Sequence, residues 1–241
     1  MTRRRWIADH WTSDTATLTG DQAVHLARVL RAEPGQIFDV VAGGFLHRAE
    51  IIRVSDDEVV FTLHEELESD TALPLHLLLA VFKFDHMEWA IEKATELGVA
   101  RITPILARRT EKHLAQAAAK RADRWRRIAL EASKQSRRTT IPEIAEPTLL
   151  KSALEQEVSP VRILLSETEQ ATALAKVLAS SAPPAGDESV ALAIGPEGGW
   201  TPEEMALFVH HNWQPVTLGP RILRAETAAI AAIAIASSHL T

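Results

Sequence analysis

The sequence predicts an α/β protein with two domains, a small β-rich domain followed by a larger one built on a parallel sheet. In the first part of the chain, Gln36–Val41 and Glu58–Leu63 alternate apolar and polar residues, which is typical of half-buried strands. In the rest, apolar runs of strand length alternate with helical patterns, which indicates parallel strands joined by helices. We therefore expect domains at residues 1–70 and 74–241, with the acidic stretch Glu65–Asp70 as the linker.

The N-terminal domain contains one predicted helix and one predicted hairpin. The helix is expected at Gly20–Leu30, where apolar residues recur at helical spacing. Gly43 and Gly44 stand between Val41 and the strand-like run Phe45–Val54, and a glycine pair in this position is a hairpin signal.

The larger domain is predicted to begin with a strand, a helix and a second strand. Asp85 and Glu88 have the spacing of a capping box at the start of this helix, and Gly98 marks its end. The expected helices of the domain include Met87–Leu97 and Thr227–Ser237, and its expected strands are Leu75–Phe82, Arg101–Leu106, Val161–Leu165, Val190–Ile194 and Pro215–Leu218.

The composition excludes several classes of protein. Apolar residues make up 46% of the 241 positions, which is ample for a core. The absence of cysteine excludes a disulfide scaffold and a cysteine-bound metal, and it suits a cytoplasmic protein. The basic start Met1–Trp6 lacks the apolar segment of a signal peptide, and the longest apolar run, Ala228–Ala236, is too short to span a membrane. The ten histidines show no ligand spacing, so no metal is expected.

Positive charge is concentrated in one segment of an otherwise acidic chain. The formal net charge is −6, but Arg108–Arg138 contains eleven basic and three acidic residues, a local +8 that leaves −14 for the remainder. Such a segment is an electrostatic footprint for a polyanion, so we expect RNA contact. The alternative is a solvated helix face with intrahelical pairs such as Asp123 with Arg127.

The most informative motif is IGPEGGWTPEE, Ile194–Glu204, which joins a buried strand to a strongly signalled helix start. Thr201 fits an N-cap, Pro202 the first helical position and Glu204 the partner of a capping box. A strand, a tight turn and a helix make a ligand site in open α/β folds. The glycines fit neither a P-loop nor a dinucleotide fingerprint, and a tight connection without a ligand is the alternative.

A second motif of the same kind, LGPRILRAETA, follows at Leu218–Ala228. Together the two motifs resemble the SPOUT methyltransferases and specifically the RsmE family, which methylates N3 of one uridine in small-subunit ribosomal RNA with S-adenosylmethionine. The likeness extends over nearly the whole chain, through Lys83–Thr110, through Arg124–Ile144 and through His25–Val40, the last of which resembles the family's small PUA-like β-barrel. The chain departs from the family where Lys134 replaces an acid and Arg137 replaces a glycine, and both changes add positive charge to that basic loop.

The resemblance implies a parallel sheet with a C-terminal trefoil knot, in which backbone atoms of three loops grip the cofactor. Glycines suit these loops because side chains would obstruct the ligand. The implied cofactor-binding residues are Leu165, Ser166, Glu167, Ile194, Gly195, Pro196, Glu197, Gly198, Gly199, Leu218, Gly219, Ile222, Leu223, Arg224 and Thr227. Core packing is the alternative for the apolar members, and we expect both roles.

Within these loops, Arg224 is our candidate for stabilising the uracil anion, and Glu197 or Glu226 for accepting the N3 proton. The alternative is an Arg–Glu pair that only orders the loops. The final helix is apolar on every side and must be buried, which together with the family resemblance implies a homodimer.

The RNA partner is small-subunit ribosomal RNA or the assembled subunit. The RNA-binding residues that we expect are Arg3, Arg4, Arg5, Arg28, Arg31, Lys83, Lys134, Gln135, Arg137 and Arg138. A solvated polar face is the alternative for the group around Arg28, and charge for solubility is the alternative for the N-terminal arginines. Two other functions stay open at this point, a SPOUT enzyme with another RNA target and a non-catalytic RNA-binding assembly factor.

Overall fold

The computed structural model describes residues 5–68, 72–181 and 189–240 and contains two compact units. The first unit comprises the described residues up to 68 together with Ser133–Thr140, and the second comprises 72–132 and 141–240. Most of the basic loop after residue 132 therefore belongs to the N-terminal unit, although it lies far along the chain.

The described strands of the first unit form one curled sheet with the order β1-β4-β5-β6-β3-β2. Strands β1 and β4 are parallel and the other neighbours are antiparallel. The core contains Trp6, Leu18, Leu26, Ile51 and Phe61, all buried. The elements are β1 Arg5–Ile7, β2 His10–Trp11, β3 Thr15–Thr19, α1 Gly20–Val24, β4 Ile37–Ala42, β5 Phe45–Val54 and β6 Glu58–Leu67.

The predicted hairpin is confirmed, because β4 and β5 are joined by Gly43 and Gly44 with φ of +61° and +89°. Only glycine adopts such angles readily, and two successive left-handed residues match the twist of a tight hairpin. The predicted helix at 20–30 is present, but its second half, His25–Val29, is wound as a π-helix.

The acidic linker prediction was wrong for its first half. Glu65, Glu66 and Leu67 are the last residues of β6, and Glu66 and Leu67 pair with β5. Residues 69 and 70 of the predicted linker lie outside the described residues. The acidic side chains are tolerated in the strand because they are exposed.

The second unit is built on a parallel sheet with the order β10-β8-β7-β12-β11-β13, and β9 also pairs with β8. Its strands are β7 Leu73–Ala80, β8 Val99–Leu106, β9 Glu143–Ile144, β10 Thr148–Leu149, β11 Val161–Leu165, β12 Val190–Ile194 and β13 Gln214–Val216. Its helices are α2 Phe84–Glu96, α3 Lys112–Ser136, α4 Leu150–Gln156, α5 Leu174–Ser180, α6 Pro202–His210 and α7 Ala225–Leu240. Strands β11 and β12 have the predicted bounds, whereas β13 ends two residues early and α7 begins two residues early.

Helices cover both faces of this sheet. Side chains alternate between the faces of a strand, so Leu77 and Leu79 pack with α2, α3, α5 and α7, while Leu78 packs with α4 and α6. The near-continuous apolar runs of β7 and β12 follow from burial on both sides, which is the rule for parallel strands.

The end of β13 is enclosed by the segment that connects β11 to α5. The Val216 carbonyl accepts a hydrogen bond from the Ser166 amide (3.0 Å) on one side. On the other side, the Thr217 amide donates to the Thr172 carbonyl (2.9 Å) and the Thr217 carbonyl accepts from the Leu174 amide (3.1 Å). The 166–173 segment therefore wraps around the chain at Val216 and Thr217, which is the threading that a C-terminal knot requires and that most folds avoid.

The predicted capping box at Asp85 and Glu88 was wrong. Helix α2 begins at Phe84, and its N-cap residue Lys83 makes no side-chain capping bond. Glu88 instead accepts two hydrogen bonds from Arg124, each of 2.7 Å. The predicted end of the helix is confirmed, since Gly98 follows it with φ of +98°.

Candidate functional site

The candidate site lies where the carboxyl ends of three adjacent parallel strands meet. Strand β11 pairs with β12 on one side and with β13 on the other, in parallel register. The connections that follow these strands begin at Ser166, Gly195 and Thr217, so all three leave the same edge of the sheet. These are the three loops that the family resemblance implies for the cofactor, and the carboxyl edge is where open parallel sheets place ligands.

The loop after β12 is held by a capping box at the start of α6. Thr201 Oγ1 accepts from the Glu204 amide (3.3 Å), and Glu204 Oε2 accepts from the Thr201 amide (2.9 Å). This confirms the predicted box. The buried Glu204 carboxylate also accepts from the Arg108 amide (2.7 Å), which links the loop to the residues after β8.

Two glycines of this loop are explained by their surroundings. A Cβ at Gly195 would lie 3.1 Å from Nε1 and 3.2 Å from Cε2 of Trp200. Gly199 has φ of +69°, and its amide closes a tight turn onto the Pro196 carbonyl at 2.8 Å. Gly195 is therefore required because a side chain would clash with Trp200, and Gly199 is required because its backbone is left-handed.

The first two loops are neighbours, and Arg109 bonds to the second of them. Arg109 Nη1 donates to the Gly198 carbonyl at 2.5 Å. A Cβ at Gly199 would lie 3.4 Å from Glu167 Oε1 and 3.8 Å from Arg109 Nη1, so Glu167 of the first loop reaches the second. Arg109 was not among the predicted site residues. It lies 89 positions before Gly198, and only its place in the basic segment could have drawn attention to it.

The third loop is open. Gly219 has φ of +117°, and a Cβ added there would meet no heavy atom within 4 Å. Ile222 is 84% exposed, which rules out the core-packing alternative for that residue, while Leu218 and Leu223 are half-buried. Arg224 is exposed, and among the described residues no ion pair joins it to Glu197 or Glu226. The alternative of an Arg–Glu pair that orders the loops is therefore not found.

The two candidate carboxylates have opposite environments. Glu197 is exposed on the glycine loop, whereas Glu226, in the first turn of α7, is 3% exposed. Glu226 Oε1 lies 3.2 Å from Nδ1 of His86, and Glu226 Oε2 is buried without a hydrogen-bond partner. His86 was not predicted as a site residue.

The predicted RNA-binding residues fall mainly in the first unit. Arg3 and Arg4 lie outside the described residues, and Arg5 donates to the Arg137 carbonyl at 2.6 Å. Arg28 pairs with Asp56 on the surface at 3.1 Å, and Arg31 has a left-handed backbone with φ of +50°.

The remaining predicted RNA-binding residues follow the same distribution. Lys134 and Gln135 lie in the last turn of α3, Arg137 is exposed, and burial lowers the pKa of Arg138 to about 10. Lys83, at the start of α2, lies in the second unit. The structure therefore groups Arg5 and the residues from Lys134 to Arg138 in one unit, and Lys83 belongs to the other.

About half of the basic side chains of helix α3 form ion pairs with acidic residues of the protein. Arg121 and Arg124 pair with Glu88, and Arg126 pairs with Glu146 and with Asp123. The expected pair of Asp123 with Arg127 is replaced by one with Arg126, three residues away. In the parts of the chain that the structure describes, no ion pair engages the exposed residues Lys112, Lys120 and Arg127. We call these three residues the cationic stripe.

The sequence predicts neither a metal site nor a membrane-spanning segment. No group of three or more histidine or acidic side chains there could hold a metal ion. No helix among residues 5–68, 72–181 and 189–240 is long and apolar enough to cross a membrane.

Known proteins share this architecture over nearly the full chain. The RNA methyltransferase domain family matches residues 69–237, and the RNA methyltransferase PUA domain family matches residues 18–63. The ribosomal RNA small subunit methyltransferase E of Synechocystis is 36% identical over 223 residues, which cover 91% of this chain and 72% of that protein. The Bacillus subtilis protein of the same name is 31% identical over 92% of this chain and 90% of its own length.

Two solved structures agree with these relatives. The methyltransferase Lpg2936 of Legionella pneumophila, solved with bound S-adenosylmethionine, is 31% identical with a TM-score of 0.82, covering 99% of this chain and 98% of its own. The ribosomal RNA small subunit methyltransferase E of Neisseria gonorrhoeae, also bound to S-adenosylmethionine, is 29% identical with a TM-score of 0.81, covering 96% and 95%. With the three loops at one sheet edge, these matches show that the chain belongs to the RsmE family of RNA methyltransferases.

Proposed function

We propose that this protein transfers a methyl group from S-adenosylmethionine to N3 of a specific uridine in small-subunit (16S) ribosomal RNA. The observation that carries the proposal is the meeting of three loops at the carboxyl edge of the parallel sheet, two of them with left-handed glycines. Relatives with this architecture are named for small-subunit ribosomal RNA methylation, and two of the similar structures hold the methyl donor.

The residues at this edge fit a nucleoside ligand held by main-chain atoms. Gly219 leaves open space, and Gly195 and Gly199 have no side chain to obstruct a ligand. Trp200 Nε1 is buried without a hydrogen-bond partner beside Gly195, so one donor there is unused. The binding set is Leu165, Ser166, Glu167, Ile194, Gly195, Pro196, Glu197, Gly198, Gly199, Leu218, Gly219, Ile222, Leu223, Arg224 and Thr227.

Methyl transfer requires the protein to orient the uridine N3 toward the methyl group and to promote loss of the N3 proton. The bound donor supplies a methyl group on a sulfonium, which leaves as a neutral thioether. The protein must hold N3 in line with this methyl carbon and must favour the N3 anion, because N3 is a weak acid. Arg224 is exposed in the third loop and free of Glu197 and Glu226, so its guanidinium is available to stabilise the developing uracil anion.

RNA binding is assigned to both units. A PUA domain of RNA methyltransferases matches residues 18–63. The last turn of α3 and the residues after it add the positive charges of Lys134, Arg137 and Arg138 to the same unit. In the second unit, the cationic stripe and Lys83 offer charge to phosphates. The target base must be single-stranded or flipped for its N3 to be reached, and the substrate is free RNA or the assembled subunit in the cytoplasm.

A homodimer is part of the proposal. Helix α7 buries Ala229, Ala232, Ile233 and Ala236 on one face, whereas Ala234 on another face is exposed. The expectation that the helix is buried on all sides is therefore not met within one chain. A mostly apolar helix with a small-residue outer face is suited to pack against its own copy, which would complete its burial.

One assay tests the activity directly. Purified protein, S-adenosylmethionine and small subunits from a strain that lacks this enzyme should give 3-methyluridine in digested RNA by nucleoside mass spectrometry. A different methylated nucleoside would redirect the assignment to another RNA target. No heat on titration with S-adenosylmethionine, together with retained RNA binding, would instead indicate a non-catalytic assembly factor.

A further inference from the structure

The starts of α2 and α7 meet beside the candidate site. Strand β7 runs parallel to β12 with Leu79 opposite Ile194, so the chain leaves both strands at the same edge of the sheet. The residues after β7 lead into α2, which carries His86, and the third loop leads into α7, which carries Glu226. Both side chains therefore come from helix N-termini at the sheet edge already assigned to the donor.

His86 and Glu226 form an asymmetric pair. Nδ1 of His86 lies 3.2 Å from Oε1 of Glu226, and the side chains are 31% and 4% exposed. The other ring nitrogen, Nε2, lies 3.8 Å from Oδ2 of the exposed Asp85. Among the described residues, Asp85 and Glu226 are the acidic groups within 4.0 Å of a ring nitrogen. Nδ1 is thus buried beside a buried carboxylate, 3.2 Å away but without a hydrogen bond of good geometry, and Nε2 lies nearest the exposed Asp85.

The burial of Glu226 needs an explanation. Its Oε2 has no hydrogen-bond partner in the described structure, and a buried, unsatisfied carboxylate oxygen is costly. Its place in the first turn of α7 offsets part of this cost, because the positive end of a helix dipole favours an anion. A carboxylate kept in such a place is typical of a functional site, where it fixes a neighbouring group.

Glu226 is poorly placed to take a proton from RNA by itself. A side chain that is 4% exposed offers little surface to a large substrate, whereas His86 is 31% exposed and its Nε2 lies nearest the exposed Asp85. Resting on the proposed function, we infer that His86 is the catalytic base that removes the N3 proton of the target uridine, and that Glu226 is its positioning residue. Glu226 holds Nδ1 protonated, which leaves the Nε2 lone pair free, and it stabilises the imidazolium that forms.

The step balances without a further reactant. The N3 proton passes to Nε2 of His86, and the N3 lone pair forms the bond to the methyl carbon. The electron pair of the broken carbon–sulfur bond goes to sulfur, and the imidazolium then loses its proton to water. Glu197 is not required for this transfer, and Arg224 keeps its role at the uracil oxygens.

The decisive variant is His86→Asn. The asparagine amide can still donate toward Glu226, so the contact between α2 and α7 is retained. Unlike the imidazole, however, the amide cannot accept and hold a proton. His113→Asn is the matched control, since His113 also stands at a helix start beside an acid, Glu111, at 3.5 Å but is 72% exposed and is not among the assigned site residues. Single-turnover methylation at saturating donor is measured between pH 6 and 9, and donor affinity by calorimetry.

Three results are expected. His86→Asn slows methylation by about 100-fold or more at pH 7 while donor affinity and melting temperature stay within error of the wild type. The wild-type rate and the His86→Asn rate differ in their dependence on pH, because only the wild type has a side chain at this position that can take up the N3 proton. His113→Asn follows the wild type throughout. A His86→Asn rate within about threefold of the wild type would overturn the inference and leave the proposed function intact.

A second readout does not depend on turnover. In ¹⁵N NMR spectra of the protein above neutral pH, the His86 signal should report the Nδ1–H tautomer, and Glu226→Gln should shift the tautomer population. Assignment comes from the signal that is missing in His86→Asn. An Nε2–H tautomer in the wild type would also contradict the inference, because the basic nitrogen would then face Glu226. A wild-type protein that neither binds donor nor methylates RNA would overturn the proposed function and this inference together.

Discussion

The guanidinium of Arg5 donates a hydrogen bond to the backbone carbonyl of Arg137 at 2.6 Å, although the two residues are 132 positions apart. Arg137 follows the last residue of α3 with a left-handed φ of +63°, and the next amide, Arg138, bonds back to the Ser133 carbonyl at 3.0 Å. This is the geometry of a Schellman motif, which usually has glycine at the left-handed position. The chain thus has a backbone conformation that suits glycine, with an arginine in that place.

Two substitutions of Arg137 should therefore differ in their effect on folding stability but not in their effect on RNA affinity. A left-handed non-glycine residue costs about 1 kcal/mol, so Arg137→Gly should raise the free energy of unfolding by roughly this amount. Arg137→Ala keeps the strain and serves as the control. Urea denaturation followed by circular dichroism measures the difference. Both variants remove the guanidinium, so they should lose the same RNA affinity where Arg137 contacts phosphate. Equal free energies of unfolding for the two variants would contradict the backbone strain assigned to Arg137.

The capping box of α6 and the bounds of β11 and β12 could be predicted because their signals are local. Thr201, Pro202 and Glu204 stand within four residues of one another, and a parallel strand needs only a short apolar run. The failed capping box at Asp85 and Glu88 shows the limit of this reasoning, since Glu88 is recruited by Arg124 from another helix.

The site itself was predicted as three loops but not as a set of contacts. Arg109 with Gly198, and His86 with Glu226, are joined by the order of the strands, which no local pattern contains. The sequence could name Glu226 as ionisable, but only the fold shows that it is buried and that a histidine covers it.

The loop after β12 should tolerate an added methyl group better at Gly198 than at Gly195. At Gly195 the added Cβ meets the Trp200 indole, which is itself packed on Phe208 at 4.9 Å between ring centres and cannot move freely. At Gly198 the nearest atom is Cδ of Arg109 at 3.3 Å, in a flexible side chain. Gly195→Ala should lower the free energy of unfolding by about 1–3 kcal/mol and weaken donor binding.

Gly198→Ala is the matched control for this prediction and should cost less in both measurements. Calorimetric titration with S-adenosylmethionine and thermal melts of both variants give the comparison. The interpretation of the loop would be wrong if Gly198→Ala were the more damaging change.

The arginines and lysines of α3 should not contribute equally to RNA binding. Arg124 is held by Glu88 through two bonds of 2.7 Å, whereas Lys120 and Arg127 belong to the cationic stripe. Each lost phosphate contact lowers the slope of log affinity against log salt by about 1. We expect this change for Lys120→Ala and for Arg127→Ala in filter binding across several salt concentrations. Arg124→Ala should leave the slope unchanged, and a larger effect there would move the RNA path to the other side of α3.

Stability in acid should depend on a carboxylate remote from the loops. Glu157 Oε2 lies 2.6 Å from Nδ1 of His76, near the start of β7, and Oε1 accepts from the Ser159 amide at 2.9 Å. Burial alone would raise the pKa of Glu157, but the bonds and charge of His76 together with Ser159 outweigh it and lower the pKa to about 2. The folded state therefore binds this proton less readily than the unfolded state.

It follows that the contribution of Glu157 is complete above its ordinary pKa of 4.5 and is lost as the pH falls through about 2. In this pH window Glu157 contributes up to about 1.4 kcal/mol per pH unit to the dependence of the free energy of unfolding on pH. Glu157→Gln should be less stable than the wild type at about pH 6, and the difference should shrink toward pH 2. Urea denaturation at several pH values measures it, and parallel curves for the two proteins would contradict the assignment.

The outer face of α7 should decide whether the chain is a dimer. Ala234 is exposed on this helix, and a large charged side chain there would be buried without a partner if two copies pack through α7. Ala234→Arg should therefore convert a dimer to a monomer in light scattering at micromolar concentration, with the fold retained by circular dichroism. Ala119→Arg, at an exposed position of α3, is the control and should leave the dimer unchanged. A wild-type monomer, or an Ala234→Arg dimer, would show that α7 does not form the interface.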